Sequence, residues 1–182
     1  MDWLVYIPAA RSPFKQHRPL ASDQDRLDML AAALAPYERV SISTLELSRS
    51  PDQPSYTVDT LKEIQRLADP DCTLRLLIGE DQARDFHNWK SSDQIIQLAE
   101  PVVLMRDKDC ASRESFELEM RQHWSRGQSQ QWRTRALDLP LMDVSATRIR
   151  HLLAHKENDQ TELKSALCQV VLDIIQERKL YQ

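Results

Sequence analysis

Glycine is nearly missing: the 182 residues hold two, Gly79 and Gly127. Phosphate loops of the dinucleotide-binding and P-loop kinds need several glycines, for tight turns and for close approach of backbone to phosphate. Neither fingerprint occurs here. Cysteine is scarce as well. Cys72, Cys110 and Cys168 are odd in number and widely spaced, with no CxxC pair. That excludes a thiolate metal cluster and a disulfide framework, and it suits a reducing cytosol. Positive charge is not in excess either. The formal net charge is −4, which excludes nucleic-acid binding driven by bulk charge but not a small cationic pocket. No apolar run approaches the roughly 20 residues of a membrane span, and no secretory signal opens the chain. A soluble, cytoplasmic protein is expected, folded as a single domain over 1–182.

Apolar runs and helical patterns alternate along the rest. Trp3 to Pro8 reads as a strand stopped by proline, and Ser22 or Asp23 caps a helix bearing Leu27, Leu30, Ala31 and Leu34 on one face. Val40, Ile42 and Thr44 alternate as in a strand. A helix follows over Ser55–Ala68 with Leu61, Ile64 and Leu67 inward. Leu74 to Gly79 is the clearest buried strand. A short helix (SDQIIQLA) and a short strand (PVVLM) come next. The charged stretch from Asp107 to Arg135 predicts a helix around Glu114 to Trp124, then a loop through Gly127. RALDLPL predicts one more strand. The helix opening at Ser145 is followed by a last one from Glu162 to Lys179, with Leu163, Leu167, Val170, Val171 and Ile174 in one stripe. This alternation predicts an α/β fold with a mainly parallel sheet and helices on both faces. Ligands of such folds sit at the carboxyl ends of strands, beside helix N-termini.

Those junctions carry the chemistry. DVSATRIRHLL sets Ser145 and Thr147 beside Arg148 and Arg150. Hydroxyls cap helices, but cations oppose the positive end of a helix dipole. The combination suits a bound phosphate, while a capped surface helix with solvated arginines explains the same residues without one. After the first strand, Arg11, Lys15 and Arg18 gather beside stiffening prolines, as a phosphate-reaching loop or a merely solvated one. After the third, Gly79 permits close backbone approach, Asp81 can accept from ribose hydroxyls, and Trp89 offers a face for a flat ring. A turn glycine, a capping aspartate and a core tryptophan are the plainer alternatives. Ser55, Tyr56 and Thr57 open a helix and suit either capping or a carboxylate. His151 and His155 stand four apart with no third ligand nearby, so no protein-held metal is expected.

Four segments in order, YIPAARSPFK, PSYTVDTLKEI, LIGEDQARDFHNW and VSATRIR, resemble the bacterial nicotinate-nucleotide adenylyltransferase family. The ending VVLDIIQERKLY is similar too. The resemblance covers almost the whole chain and is weakest from Asp107 to Arg135. It implies a Rossmann-like nucleotidyltransferase domain that joins ATP and nicotinate mononucleotide into nicotinate adenine dinucleotide and pyrophosphate, with Mg²⁺. It implies that Ser145, Thr147 and Arg150 hold ATP phosphates, assisted by Lys15, and that Arg148 is variable and solvated. Gly79 and Asp81 would line the nucleotide site, Trp89 would stack on the nicotinate ring, and Tyr56 and Thr57 would bind its carboxylate.

The chain also departs from that family. Its members carry a strand, a segment of the form G-x-F-(D/N)-P-x-H-x-G-H and a helix ahead of the strand matched by Trp3 to Pro8. The five histidines here form no H-x-G-H, and Phe14 stands where the family's P-P-H-K has histidine. The expectation is a misplaced start or a truncated gene, so that these residues alone turn over poorly. The in-frame codons ahead of Met1 test it. The competing expectations are a non-catalytic relative that binds a nucleotide or a protein, and an adenylyltransferase for another phosphate substrate.

Overall fold

A computed structural model describes residues 3–10, 20–49, 54–105, 110–138, 144–155 and 160–181. Lys15, with Arg11, Phe14, Arg18 and Arg106, lies outside the described residues. The chain divides into two compact units, residues 1–55 with 143–182, and residues 56–142.

In the first unit, β1 (Leu4–Tyr6) and β2 (Val40–Ile42) pair in parallel, Leu4 opposite Val40 and Tyr6 opposite Ile42. Between them runs α1 (Asp23–Leu34). Ser22 is its N-cap, and its hydroxyl accepts from Asp25 N. β2 is shorter than the alternation predicts, because the chain turns from Thr44 on, with Ser48 N donating to Thr44 O. The unit ends in α7 (Ala146–His155), α8 (Gln160–Ala166) and α9 (Gln169–Glu177). The single helix expected over Glu162–Lys179 is therefore two. The break at Leu167–Cys168 resets the helical phase. It lets Leu163 and Leu172 enter one cluster with Ile149 and Leu152, and leaves Val170, expected inward, 56% exposed.

Arg178, just past α9, clamps that helix to α1. Its Nη1 lies 2.8 Å from Asp25 Oδ1 and 2.6 Å from Asp28 Oδ2. Hydrogen bonds from Ser22 and then Arg178 hold the Asp25 carboxyl below its ordinary value, and those from Arg178 and then Gln24 do the same for Asp28. Carboxylates depressed in the folded state add stability that is complete above their unfolded values, near pH 4, and is lost as pH falls through the folded ones. Arg178→Met is expected to lower stability at neutral pH and to flatten its decline below about pH 4. Urea denaturation as a function of pH checks both effects.

In the second unit, β3 (Arg75–Gly79), β4 (Glu100–Met105) and β5 (Ala136–Asp138) form a parallel sheet in that order. Pro101 sits in the central strand, opposite Leu76. Its missing N–H costs no ladder bond on the far side, because β5 joins only from Val103 onward. Pro101, Val103 and Met105 are buried on one face of β4, and Val102 and Leu104 are half-buried on the other. β3 is less buried than its apolar run predicts: Ile78 is enclosed but Leu77 is exposed.

Helices α2 (Thr57–Leu67), α3 (Glu80–Arg84), α4 (Ser92–Leu98), α5 (Cys110–Met120) and α6 (Arg126–Thr134) complete this unit. Leu67, expected inward, is 64% exposed, while Val58 and Leu61 are buried. At about 100° per residue, Leu67 points about 180° away from Val58. Gly127 lies inside α6 rather than in the expected loop. A capping box explains this: the Ser125 hydroxyl accepts from Gln128 N, and the Gln128 side chain accepts from Ser125 N.

Candidate functional site

The site residues expected from the sequence fall into two groups, one in each unit. Tyr56, Thr57, Gly79, Asp81 and Trp89 belong to residues 56–142, and Ser145, Thr147 and Arg150 to the other unit.

In the first group, α2 opens at Tyr56, its N-cap, which makes no side-chain capping hydrogen bond. The capping role expected of Ser55 or Thr57 is therefore not what is seen. Thr57 is the first helical residue, and the Ser55 hydroxyl is buried with no partner among the described residues. The N–H groups of a first helical turn are left without intrahelical acceptors, and the helix dipole makes that end positive. Tyr56 and Trp89 both pack against the core cluster that contains Val58, Ile78 and Phe86. Trp89 ends the short 3₁₀ turn Phe86–Asn88, where its N donates to Phe86 O, and its ring stacks on the fully enclosed Phe86 at 4.9 Å between centroids.

Lys90 and Asp59 stand beside these residues and escaped the sequence reading. The Lys90 ammonium lies 4.2 Å from the centre of the Tyr56 ring and 3.1 Å from Asp59 Oδ2. The only local signal was the adjacency of lysine to Trp89. The partner, Asp59, is 31 residues away. Ser91 follows with φ 55°, a left-handed backbone that ordinary side chains avoid and that recurs in functional loops.

Gly79 closes β3 and is the N-cap of α3. A Cβ on Gly79 would lie 2.7 Å from Asp81 Oδ1. The glycine thus lets the exposed Asp81 carboxylate fold back over the strand end. Behind it, Arg84 holds Glu80 at 2.5 Å and also pairs with Glu119.

In the second group, the Ser145 hydroxyl accepts from Arg148 N at 3.4 Å, so it caps α7. Arg148 is exposed, as expected of a solvated arginine, and it also grips Glu162 through two bonds, Nε to Oε1 at 2.6 Å and Nη2 to Oε2 at 2.9 Å. Thr147 and Arg150 are exposed on the same helix. Both arginines that follow the cap are exposed, and Arg148 in addition pairs with Glu162 of α8. Among the described residues, no group of three or more His, Cys, Asp or Glu side chains could hold a metal. Nor, among them, is any helix long and apolar enough to cross a membrane.

Comparison with known proteins adds the family. The cytidylyltransferase-like family model matches residues 1–152. A probable nicotinate-nucleotide adenylyltransferase of Cytophaga hutchinsonii is 32% identical over the whole of this chain and 83% of its own. Its counterpart in Chromobacterium violaceum is 31% identical over the whole of this chain and 85% of its own. The fold is similar to that of Plasmodium falciparum nicotinic acid mononucleotide adenylyltransferase complexed with NaAD. There the TM-score is 0.72 at 17% identity, covering all of this chain and 83% of that one. The chain therefore belongs to the nicotinate-nucleotide adenylyltransferase family, within the cytidylyltransferase-like proteins.

Proposed function

We propose that this chain is a nicotinate-nucleotide adenylyltransferase of NAD biosynthesis. It would transfer AMP from ATP to nicotinate mononucleotide, giving nicotinate adenine dinucleotide and pyrophosphate. The observation that carries the reading is similarity to nicotinate-nucleotide adenylyltransferases over the whole chain, with the α2 opening and Trp89 kept in one unit. A non-catalytic relative, or an enzyme for another phosphate substrate, is not favoured by that similarity. A soluble, cytoplasmic protein working as one domain over 1–182 fits the same reading.

In the reaction, a phosphate oxygen of the mononucleotide attacks the α-phosphorus of ATP. The bond to the bridging oxygen breaks, and pyrophosphate leaves with that electron pair. No covalent enzyme intermediate is needed, so the protein's work is positioning and stabilising charge. Arg150, Thr147 and the α7 N-terminus that Ser145 caps would hold triphosphate oxygens, with Lys15 assisting. Gly79 and Asp81 would line the nucleotide site, Asp81 accepting from ribose hydroxyls. Trp89 would stack on the pyridine ring, while Tyr56 and Thr57 at the α2 opening face its carboxylate. Mg²⁺, when bound, would neutralise triphosphate charge.

Titration with nicotinate mononucleotide and with a non-hydrolysable ATP analogue tests the reading without requiring turnover. Arg150→Ala is expected to weaken the ATP analogue about tenfold, the worth of a charge-assisted contact to phosphate. Arg148→Ala is expected to leave that affinity nearly unchanged, because the reading assigns the phosphate contact to Arg150 and Arg148 points to Glu162 of α8. Equal losses in the two variants would overturn the assignment of Arg150.

A further inference from the structure

We infer that the cavity between α4 and α6 is a binding site for a small monocarboxylate with an apolar body, separate from the residues assigned to the two substrates. The cavity lies wholly within the second unit. Its volume is about 400 Å³, within the roughly 300–1,000 Å³ usual for small-molecule sites. Ile96, Trp124 and Trp132 give it an apolar wall, and Asp93, Gln131 and Arg135 belong to its polar lining.

What points to a ligand is a shortage of acceptors. The indole N–H groups of Trp124 and Trp132 are buried, and neither has a hydrogen-bond partner among the described residues. Buried donors of this kind are rare in folded proteins and call for an explanation. Arg135 adds a third donor group. Its side chain is only 13% exposed, yet the carboxylate that faces it, Glu100, stands 3.8 Å away, beyond hydrogen-bond reach. Glu100 lies closer to Arg75, at 3.0 Å. Burial holds the Arg135 guanidinium below its ordinary value, with Glu100 opposing. The guanidinium carbon sits 5.5 Å from the centre of the Trp132 ring, so cation and indole form one corner of the lining.

A carboxylate supplies what this corner lacks. Its two oxygens accept without donating, and they match the planar fork of an arginine. The wall of Ile96 and the two tryptophans suits an apolar body. Asp93 sets an upper limit on charge. One arginine faces one aspartate across the lining, and a like charge disfavours a multiply charged phosphate.

The test is calorimetric titration of the full chain with phenylacetate and hexanoate and, separately, with the corresponding amides. The acids are expected to bind about tenfold tighter than the amides, the worth of one charge-assisted contact. Arg135→Met should remove that difference, and Arg135→Lys should keep part of it. Saturating nicotinate mononucleotide should leave the affinity for the acids unchanged, because the cavity shares no residue with the ring site. Acids that bind no tighter than amides to the unaltered chain overturn the proposal, and that arm needs no variant to fold. Displacement of the acids by nicotinate mononucleotide, or an acid preference that survives in Arg135→Met, overturns it too. Inorganic phosphate binding more tightly than either acid would overturn the carboxylate assignment. If the chain binds no mononucleotide, the substrate reading fails, while the comparison of acid with amide still decides this one.

Discussion

A polypeptide of these 182 residues, extended ahead of Met1 by a strand–loop–helix unit carrying H-x-G-H, is expected to form nicotinate adenine dinucleotide at least about 10²-fold faster than the 182 residues alone. The factor is the usual loss when one preorganised donor to a transition-state charge is removed, and the resemblance implies that the two histidines of the motif are such donors. Among the described residues the other histidines are engaged elsewhere. His87 and His123 are stacked on each other at 3.5 Å between ring centres. His151 lies on α7 and has a partner of its own. The backbone makes a second demand. Among the described residues, β1 pairs only with β2, and β3 only with β4. An added strand that satisfies an open edge should raise the unfolding temperature along with the rate. A pyrophosphate-release assay with Mg²⁺, run beside thermal unfolding, separates the effects. Equal turnover by the two polypeptides would sink the idea that the histidine segment is needed.

The order of elements was legible because apolar runs and helical stripes alternate cleanly as far as Met105. Strands β3 and β4, and helices α1, α2 and α4, lie within a residue or two of where the pattern puts them. What the pattern missed has physical reasons. RGQSQQWRT contains one large apolar residue, so periodicity had nothing to fit in α6. Its start is written instead in the Ser125–Gln128 capping box, which tolerates Gly127 in the first turn. The break between α8 and α9 answers to the shared cluster of Leu163 and Leu172, a tertiary demand no local window contains. The junction residues at Tyr56, Gly79, Trp89 and Ser145 could be named from strand ends and helix starts alone. The pairing of Lys90 with Asp59 could not, since it joins residues 31 apart in sequence.

Trp132→Ala is expected to cost about 3–5 kcal/mol of stability, the range for removing a fully enclosed large aromatic side chain. Trp132 is 0% exposed, the largest of the fully buried side chains. It meets Phe86 edge-on at 5.0 Å and Trp124 at 5.7 Å between centroids. Its indole N–H has no hydrogen-bond partner among the described residues. The loss is therefore one of packing and of area removed from water, not of polar pairing. That distinction predicts a contrast. Trp132→Phe keeps much of the aromatic volume and also removes a buried donor whose desolvation costs about 1–3 kcal/mol. It should be much milder than the alanine variant. Urea denaturation of the three proteins measures the difference, and equal losses in the two variants would refute the packing account. The alanine change should reach the binding site as well. Phe86 lies between Trp132 and Trp89, stacked on the latter. Loosening Phe86 removes the support that sets the plane of the Trp89 ring. Affinity for nicotinate mononucleotide should then fall at temperatures where Trp132→Ala is still folded, while Trp132→Phe keeps it. The same aromatic stack that closes the core of this unit thus sets the orientation of the Trp89 ring, the surface proposed for the pyridine.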